Sequence, residues 1–412
     1  MRDSRIKDRL AGSTEVVSEK QTGSKPQCHI VTGNGTLLVG GMSAHMTMLA
    51  DGLAEASREV HVWQPEKTQL GTQSAAVEIH PTLGRLSIGD FLRTGRALRG
   101  FPYPRRLLVY WVPHAYGYKS MNVPFCIWIW VRSTWHKDRV ELMVQECFLS
   151  FRKGAWRQSA AALVHRAMTV ILMRAVDHVW MALTEYEAML RPYALGRHIS
   201  FGWLPVPSNV AVVDDPAAVV KIREQLAPSG FLIGHFGTFG SLITELLEGL
   251  VPALLRGLDS SMVLLGSKSE RFREQLLRQY PDLTERIHAT GYMTDATLSS
   301  YLTACDVMIQ PYPDGLTARR GSALGPLAHG RPIVTNVTSH TEPLWKEGGA
   351  VVFADLTPQA FLEAVQRLQK DPAERARVGA AARKTYQSYF EPAHMIDTIL
   401  EHGTVKGDGQ RT

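Results

Sequence analysis

The chain has 412 residues, of which 45% are hydrophobic and 20% charged, an ordinary globular composition long enough for two α/β domains. Its formal net charge of +6 leaves anionic partners open, but no recognisable module of a nucleic-acid binder accompanies it, and nucleic acid is not an expected partner. The first thirty residues lack the apolar core of a secretory signal, and the sequence reads as cytoplasmic.

Residues 1–27 and 404–412 are polar and read as flexible tails. A first α/β series is expected over 28–204, with strands at Cys28–Gly33, Glu59–Trp63, Ala76–His80, Leu107–Val112, Val140–Gln145 and His178–Leu183. Helices are expected at Met42–Ala56, Ser159–Val176 and Thr184–Tyr193. The apolar run Val123–Val131 is too short to span a membrane, which takes roughly 20 residues. Ala160–Leu183 is interrupted by Arg166, Arg174, Asp177 and His178, and reads as a buried or interfacial amphipathic helix.

Prolines at 205, 207, 216 and 228 mark a connector with a short helix over 205–230. A second series then fills 231–390. Its strands are expected at Phe231–Phe236, Met262–Leu265, Ile287–Thr290, Val307–Gln310, Ile333–Thr335 and Val351–Phe353, with helices between them at 241–256, 269–280, 295–304 and 321–329. Helices near 357–369, 372–389 and 392–402 end the chain, and the segment 391–403 is a candidate to pack back on the first domain. The fold class is therefore α/β: two Rossmann-like domains with parallel sheets, facing across a cleft. Ligands of such sheets bind beyond the carboxyl ends of the strands.

Four loops have suitable chemistry there. Gly33 to Gly41 is glycine-rich and leads into a helix, so backbone N–H groups of Gly40 and Gly41 can approach an anion. Position 38 is Leu, which breaks the dinucleotide-binding spacing. In the next loop His114 stands at a strand end among aromatics, with Lys119 nearby; structural and functional roles are equally open to it. Glu146 ends another strand and has a weaker parallel case. Gly237, Thr238 and Gly240 make a glycine-bounded turn between strand and helix, a diphosphate cradle without the Lys-Ser/Thr of a Walker loop. Lys268 closes the following strand and either meets a phosphate or is a solvated charge.

The stretch from His288-Ala-Thr-Gly291-Tyr-Met293, through Asp306-Val-Met-Ile-Gln-Pro311-Tyr-Pro-Asp314-Gly315, to Ala328-His-Gly330-Arg-Pro332-Ile-Val resembles the nucleotide-sugar half of retaining GT-B glycosyltransferases of the large group 1 assemblage, akin to family 4. GGMSAHMTMLADGLAEASREVHVW is similar to the same family's opening glycine pair, helix and strand. The resemblance implies a nucleoside-diphosphate sugar as co-substrate, with no further cofactor. It places Gly291, Tyr292, Met293 and Thr317 around base and ribose. Gly237, Thr238 and the helix starting near Gly321 and Ser322 would hold the diphosphate, and His114 would lie by the transferred sugar. Many members carry two glutamates with seven residues between them; the matching positions here are Thr317 and Gly325, so both carboxylates are missing.

Arg319 and Arg320, at a helix start, have the chemistry to clamp a diphosphate, and Asp314 to replace the lost sugar contact. No Asp-x-Asp pair exists, no metal ligands are expected, and the transfer reads as metal-independent. Transfer to an acceptor hydroxyl of a glycan, a polysaccharide precursor or a lipid-linked molecule follows as the expectation, with a non-catalytic scaffold or a sugar-nucleotide epimerase as alternatives. Fifteen Lys/Arg against four Asp/Glu between Arg85 and Arg174 add a basic region. Within it Arg152, Lys153, Trp156, Arg157, His165 and Arg166 form a candidate patch for an anionic membrane surface, which would place the protein peripherally at the inner face. The four cysteines, Cys28, Cys126, Cys147 and Cys305, are too scattered for a zinc site or a disulfide framework and read as reduced thiols.

Overall fold

The computed structural model describes residues 27–34, 41–56, 58–68, 70–72, 74–117, 120–228 and 230–405. Of the tails expected from sequence, 1–26 and 406–412 lie outside the described residues, while Gln27 opens the first strand and the last helix runs to Val405.

The first sheet contains β1 (Gln27–Val31), β2 (Glu59–Pro65), β3 (Val77–Gly84), β4 (Arg106–Trp111), β5 (Arg139–Val144), β6 (His178–Met181) and β7 (Ser200–Trp203). All its pairings are parallel, in the order β3-β2-β1-β4-β5-β6-β7. The second contains β8 (Phe231–Phe236), β9 (Ser260–Leu265), β10 (Ile287–Ala289), β11 (Val307–Gln310), β12 (Ile333–Thr335) and β13 (Val352–Phe353), also parallel, in the order β10-β9-β8-β11-β12-β13. Central strands such as β4 (RLLVYW) are buried almost throughout, because helices cover both faces of a parallel sheet.

Those helices are α1 (Gly41–Glu55), α2 (Ile88–Leu98), α3 (Val123–Thr134), α4 (Trp156–Ala175) and α5 (Tyr186–Leu190) in the first half. The second half has α6 (Pro216–Leu226), α7 (Ser241–Gly257), α8 (Ser269–Gln279), α9 (Asp295–Ala304), α10 (Gly321–Ala328), α11 (Pro343–Glu347), α12 (Pro358–Lys370), α13 (Pro372–Tyr389) and α14 (Pro392–Val405). The two-domain parallel architecture expected from the sequence is present.

Several local expectations change. The amphipathic helix read for Ala160–Leu183 ends at Ala175 in α4 and β6 takes up the chain three residues later, in agreement with the separately expected helix Ser159–Val176 and strand His178–Leu183. The helix expected over Thr184–Tyr193 is the short α5 followed by a 3-10 turn, because Pro192 cannot continue an α-helix. α2 was not foreseen, although Ser87 and Asp90 form a reciprocal capping box at its start. α3 was not foreseen either. Its aromatic and β-branched run VPFCIWIWV fits strand and buried helix alike, and Asn122, accepting from the Phe125 N–H, decides for helix.

The chain crosses back to the first domain at its end. Trp203 of β7 lies against Tyr389 and Phe390 at the close of α13. α14 then packs on α1, where Ile396 approaches Gly52 and the Met395 sulfur lies 3.1 Å from His45 Nε2. Arg106 donates to the Ile399 carbonyl at 2.9 Å.

In each sheet the strand order reverses beside the first strand, between β1 and β4 and between β8 and β11. The loops following these four strands open at that reversal, which is where ligands of doubly wound sheets bind.

Candidate functional site

On the second-domain side, β8 leads through Gly237–Gly240 into α7. The Gly237 N–H donates to the Leu265 carbonyl at 3.0 Å, drawing the loops after β8 and β9 together. Gly266 has φ +131°, and a Cβ there would lie 2.0 Å from the Gly237 oxygen, so only glycine fits. Gly240 caps α7 without a side-chain bond, which leaves the helix start available to an external acceptor. α10 likewise starts without a side-chain cap, and open space surrounds Gly321.

Gln310 fixes these two helix starts relative to each other. Its side-chain amide donates to the Phe236 carbonyl at 3.1 Å and to the Ser322 carbonyl at 2.9 Å. The Ser322 and Tyr312 hydroxyls are 2.8 Å apart, and the Arg320 guanidinium lies over the Tyr312 ring at 4.7 Å while pairing with Asp314. Thr317 is buried, and its carbonyl accepts from the Arg320 N–H.

On the first-domain side, the Asn34 N–H donates to the Ala115 carbonyl at 2.8 Å, so the loops after β1 and β4 touch. His114 occupies a 3-10 turn at 113–115 and is half exposed. Its Nδ1 lies 2.7 Å from the Ser120 hydroxyl and its Nε2 3.7 Å from the Glu146 carboxylate. Glu146, just past β5, reaches in turn to Arg319 of the other domain at 3.5 Å. Arg319 also donates to the Tyr186 hydroxyl at 2.8 Å, and that hydroxyl donates to the Gln145 carbonyl at 3.2 Å. Burial pushes the Tyr186 pKa up to about 12, against the pull of Arg319.

His114, Glu146, Arg319 and Tyr186 thus form one connected set across the two domains. A cleft of about 340 Å³ opens beside it, lined by Leu183, Glu185 and Tyr186 of the first domain and by Asp314, Thr317, Arg319, Arg320 and His340 of the second. His340 lies 3.3 Å from Glu185, a further link between domains.

The structure therefore gathers His114, Glu146, Asp314, Thr317, Arg319 and Arg320 at the cleft, with Gly237, Thr238, Gly321 and Ser322 at the adjoining helix starts. Lys268 is exposed at the start of α8, next to the Gly237–Gly266 junction. Gly291 takes φ +65° and its N–H donates to the Ser269 hydroxyl; Met293 is half-buried, and Tyr292 is 86% exposed. Gly41 opens α1, whereas Gly40 and Lys119 lie outside the described residues.

Glu342 was missed by sequence reasoning. Its buried carboxylate accepts from the Ala318 N–H at 3.0 Å and from the Trp345 indole at 2.9 Å, and so holds the loop that carries both arginines. Burial raises its pKa, against the pull of those hydrogen bonds. Twenty-four residues separate Glu342 from Ala318, and no motif links them. Tyr186, Glu185 and His340 were missed for the same reason.

The basic patch is smaller than expected. His165 is buried, with its pKa lowered by that burial, and adds no surface charge. Arg166 donates to the Leu149 and Ala162 carbonyls and lies over Phe148 and Phe151. Arg105 and Arg132 are buried on Asp138, and Arg106 on Glu141. Arg152, Lys153, Trp156 and Arg157 remain exposed. All four cysteines are buried and free, and among the described residues no helix is long and apolar enough to cross a membrane.

Residues 253–401 match the glycosyl transferase-like family model. The whole chain is similar in fold to a sucrose-phosphate synthase from Thermosynechococcus elongatus (16% identity, TM-score 0.65, covering 92% of this chain and 98% of that one). It is similar to Anabaena HepE, solved in complex with UDP (16% identity, TM-score 0.65, covering 92% and 100%). A UDP-N-acetylglucosamine 2-epimerase has the same fold (11% identity, TM-score 0.56, covering 95% and 99%). No curated protein matches the chain. The fold is GT-B, and the segment 253–401 is glycosyl transferase-like.

Proposed function

We propose that this GT-B protein transfers a sugar from a nucleoside diphosphate to an acceptor hydroxyl, with the donor held by the second domain. One observation carries the reading: Arg319 and Arg320 stand immediately before the start of α10 and line the interdomain cleft, where Arg319 reaches Glu146, the neighbour of His114.

Departure of a nucleoside diphosphate develops negative charge that the site must stabilise. Two guanidiniums and the uncapped starts of α7 and α10 supply it, each already positioned by the Gln310 and Glu342 hydrogen bonds. The reading assigns the counter-charge to these groups rather than to a divalent ion. Asp314, steered by Arg320, takes the sugar-hydroxyl contact that a glutamate makes in related sequences. His114 faces the transferred sugar, and Glu146 lies between it and Arg319 where an acceptor hydroxyl would arrive. The resemblance to group 1 enzymes carries retention of anomeric configuration. The UDP bound to HepE makes uridine donors the first to try.

Purified protein is mixed with uridine, guanosine and thymidine diphosphate sugars, with and without candidate glycan acceptors. Acceptor-dependent release of the nucleoside diphosphate supports transfer. Conversion of the sugar nucleotide without any acceptor supports the epimerase reading instead, which the shared fold with an epimerase keeps in play. Saturable binding without turnover supports a scaffold.

A lipid-linked acceptor is the finer proposal. Trp156 and Phe151, 73% and 58% exposed, sit among Arg152, Lys153 and Arg157, a pairing of aromatics and cations suited to an anionic bilayer surface. Flotation with acidic but not neutral liposomes, weakening at high salt, supports it; no flotation at low salt ends it.

A further inference from the structure

The first sheet carries a second constellation, away from the cleft. Glu59-Val-His61 on β2 and Glu78-Ile-His80 on β3 repeat one pattern on neighbouring strands. Alternate residues of a strand share a face, and His61 is registered against Glu78 while Trp63 is registered against His80. All four Glu and His side chains therefore emerge on one side of the sheet, in the amino-terminal halves of the strands rather than at the carboxyl ends where the cleft lies.

We propose that His61, Glu78 and His80 bind a divalent transition-metal ion of zinc's preferences. His61 Nδ1 and His80 Nε2 face each other at 3.1 Å. One oxygen of Glu78 lies 3.2 Å from His61 Nδ1, and the other 3.7 Å from His80 Nε2. Tetrahedral coordination with bonds of about 2.0–2.2 Å spaces its ligand atoms about 3.3–3.6 Å apart. The three side chains are thus already at the separations an ion would impose, and small rotations complete the set. Two neutral imidazoles and one carboxylate suit zinc, cobalt or nickel and not calcium or magnesium, which take oxygen ligands.

The surroundings are those of a built site. His61 is 1% exposed and His80 16%, while Glu78 is 64% exposed, so the ion has an entry path and an open position for water. Trp63 stacks on His80 at 4.1 Å, and Phe101 packs on the His61 ring at 4.4 Å, fixing both imidazoles. The second nitrogen of His61, Nε2, is buried and makes no hydrogen bond, but the Glu59 carboxylate, held by the Gln27 amide at 3.0 Å, lies 3.3 Å from it, within reach after a small rotation. A carboxylate behind a ligating histidine orients the ring and raises its basicity. The ion would tie the edge strand β3 to β2, which places it in support of the fold rather than in the transfer chemistry. Cysteine spacing does not reveal it, because the pattern lies in two Glu-x-His tripeptides nineteen residues apart.

The test uses tag-free full-length chain, stripped with a chelator and titrated with cobalt(II), followed by zinc competition and metal analysis after dialysis. The expected result is one equivalent of cobalt with the visible absorption of a tetrahedral N/O site, displaced by zinc. His80→Ala and Glu78→Gln, both at a solvent-reached edge, should lose that equivalent while keeping the wild-type circular dichroism. Glu59→Gln should weaken binding about 10–100-fold. Replacement of the remote, exposed His198 by Ala should change nothing. No tetrahedral cobalt signal in the wild type, or an unchanged equivalent in His80→Ala and Glu78→Gln, overturns the proposal and leaves a plain His–Glu ion pair.

Discussion

Arg319→Ala separates a catalytic from a structural role for the arginine that joins the two domains. In the structure its guanidinium is 35% exposed and meets Glu146, itself 33% exposed, at 3.5 Å, a pair worth at most about 1 kcal/mol to stability. Its hydrogen bond to the Tyr186 hydroxyl adds about 1 kcal/mol. The variant should therefore remain folded. A cation that meets the charge developing on a leaving diphosphate is worth far more, about 3–4 kcal/mol in a preorganised site. At 1.36 kcal/mol per tenfold, kcat/KM should fall about 100- to 1,000-fold. Arg319→Lys keeps the charge but not the planar fork, and should recover only part of that loss. The assay is the initial rate of nucleoside-diphosphate release, read beside the unfolding midpoint in urea. Activity of Arg319→Ala within about threefold of wild type, a difference below 1 kcal/mol, refutes the diphosphate clamp. A loss that merely follows a lowered urea midpoint refutes it as well.

Glu342→Ala should act on the same loop indirectly. It leaves the Ala318 N–H and the Trp345 indole N–H without their acceptor, at about 1–3 kcal/mol each, so urea unfolding should show a loss of about 2–6 kcal/mol together with weakened donor binding by calorimetry. Gly266→Ala drives a Cβ into the Gly237 carbonyl from a backbone angle of +131°, and should raise KM for the donor by distorting the turn after β8, even in the fraction of protein that folds. Burial lowers the pKa of His45 and His235 to about 4 each. Between about pH 6.5 and 4 the unfolded chain takes up protons that these rings refuse, so stability should be complete above that window and fall through it by up to about 3 kcal/mol per ring. Urea midpoints at pH 7 and pH 4.5 measure the drop, and His235→Gln should reduce it.

Much of the architecture lies in local pattern. Buried runs such as FLIGHF and VMIQ, followed by glycine or proline and then a 3.6-residue period, are what a parallel strand and its crossover helix require, and they predict β8, β11 and the helices beside them closely. The same alternation puts Gly237, Arg319 and Arg320 in loops at strand ends, because a short loop has nowhere else to go. Local pattern fails where one run satisfies two periods, as in α3, and where a proline cuts a helix short, as after α5.

The partners of those loop residues are another matter. Arg319 meets Glu146 across 173 residues, Glu342 holds Ala318 from a separate loop, and α14 returns to lie on α1. The first and last of these contacts exist only because two domains dock at a particular angle, and the second only because the loops after β11 and β12 fold together; no periodicity along the chain encodes either arrangement. The Glu-x-His pairs show the same division. Their alternation was written in β2 and β3, but only the parallel register of those strands brings four side chains to one point. Sequence set what each segment could become; the packing of segments far apart in the chain decided which side chains share a site, because contact between them depends on distances that only the folded backbone defines.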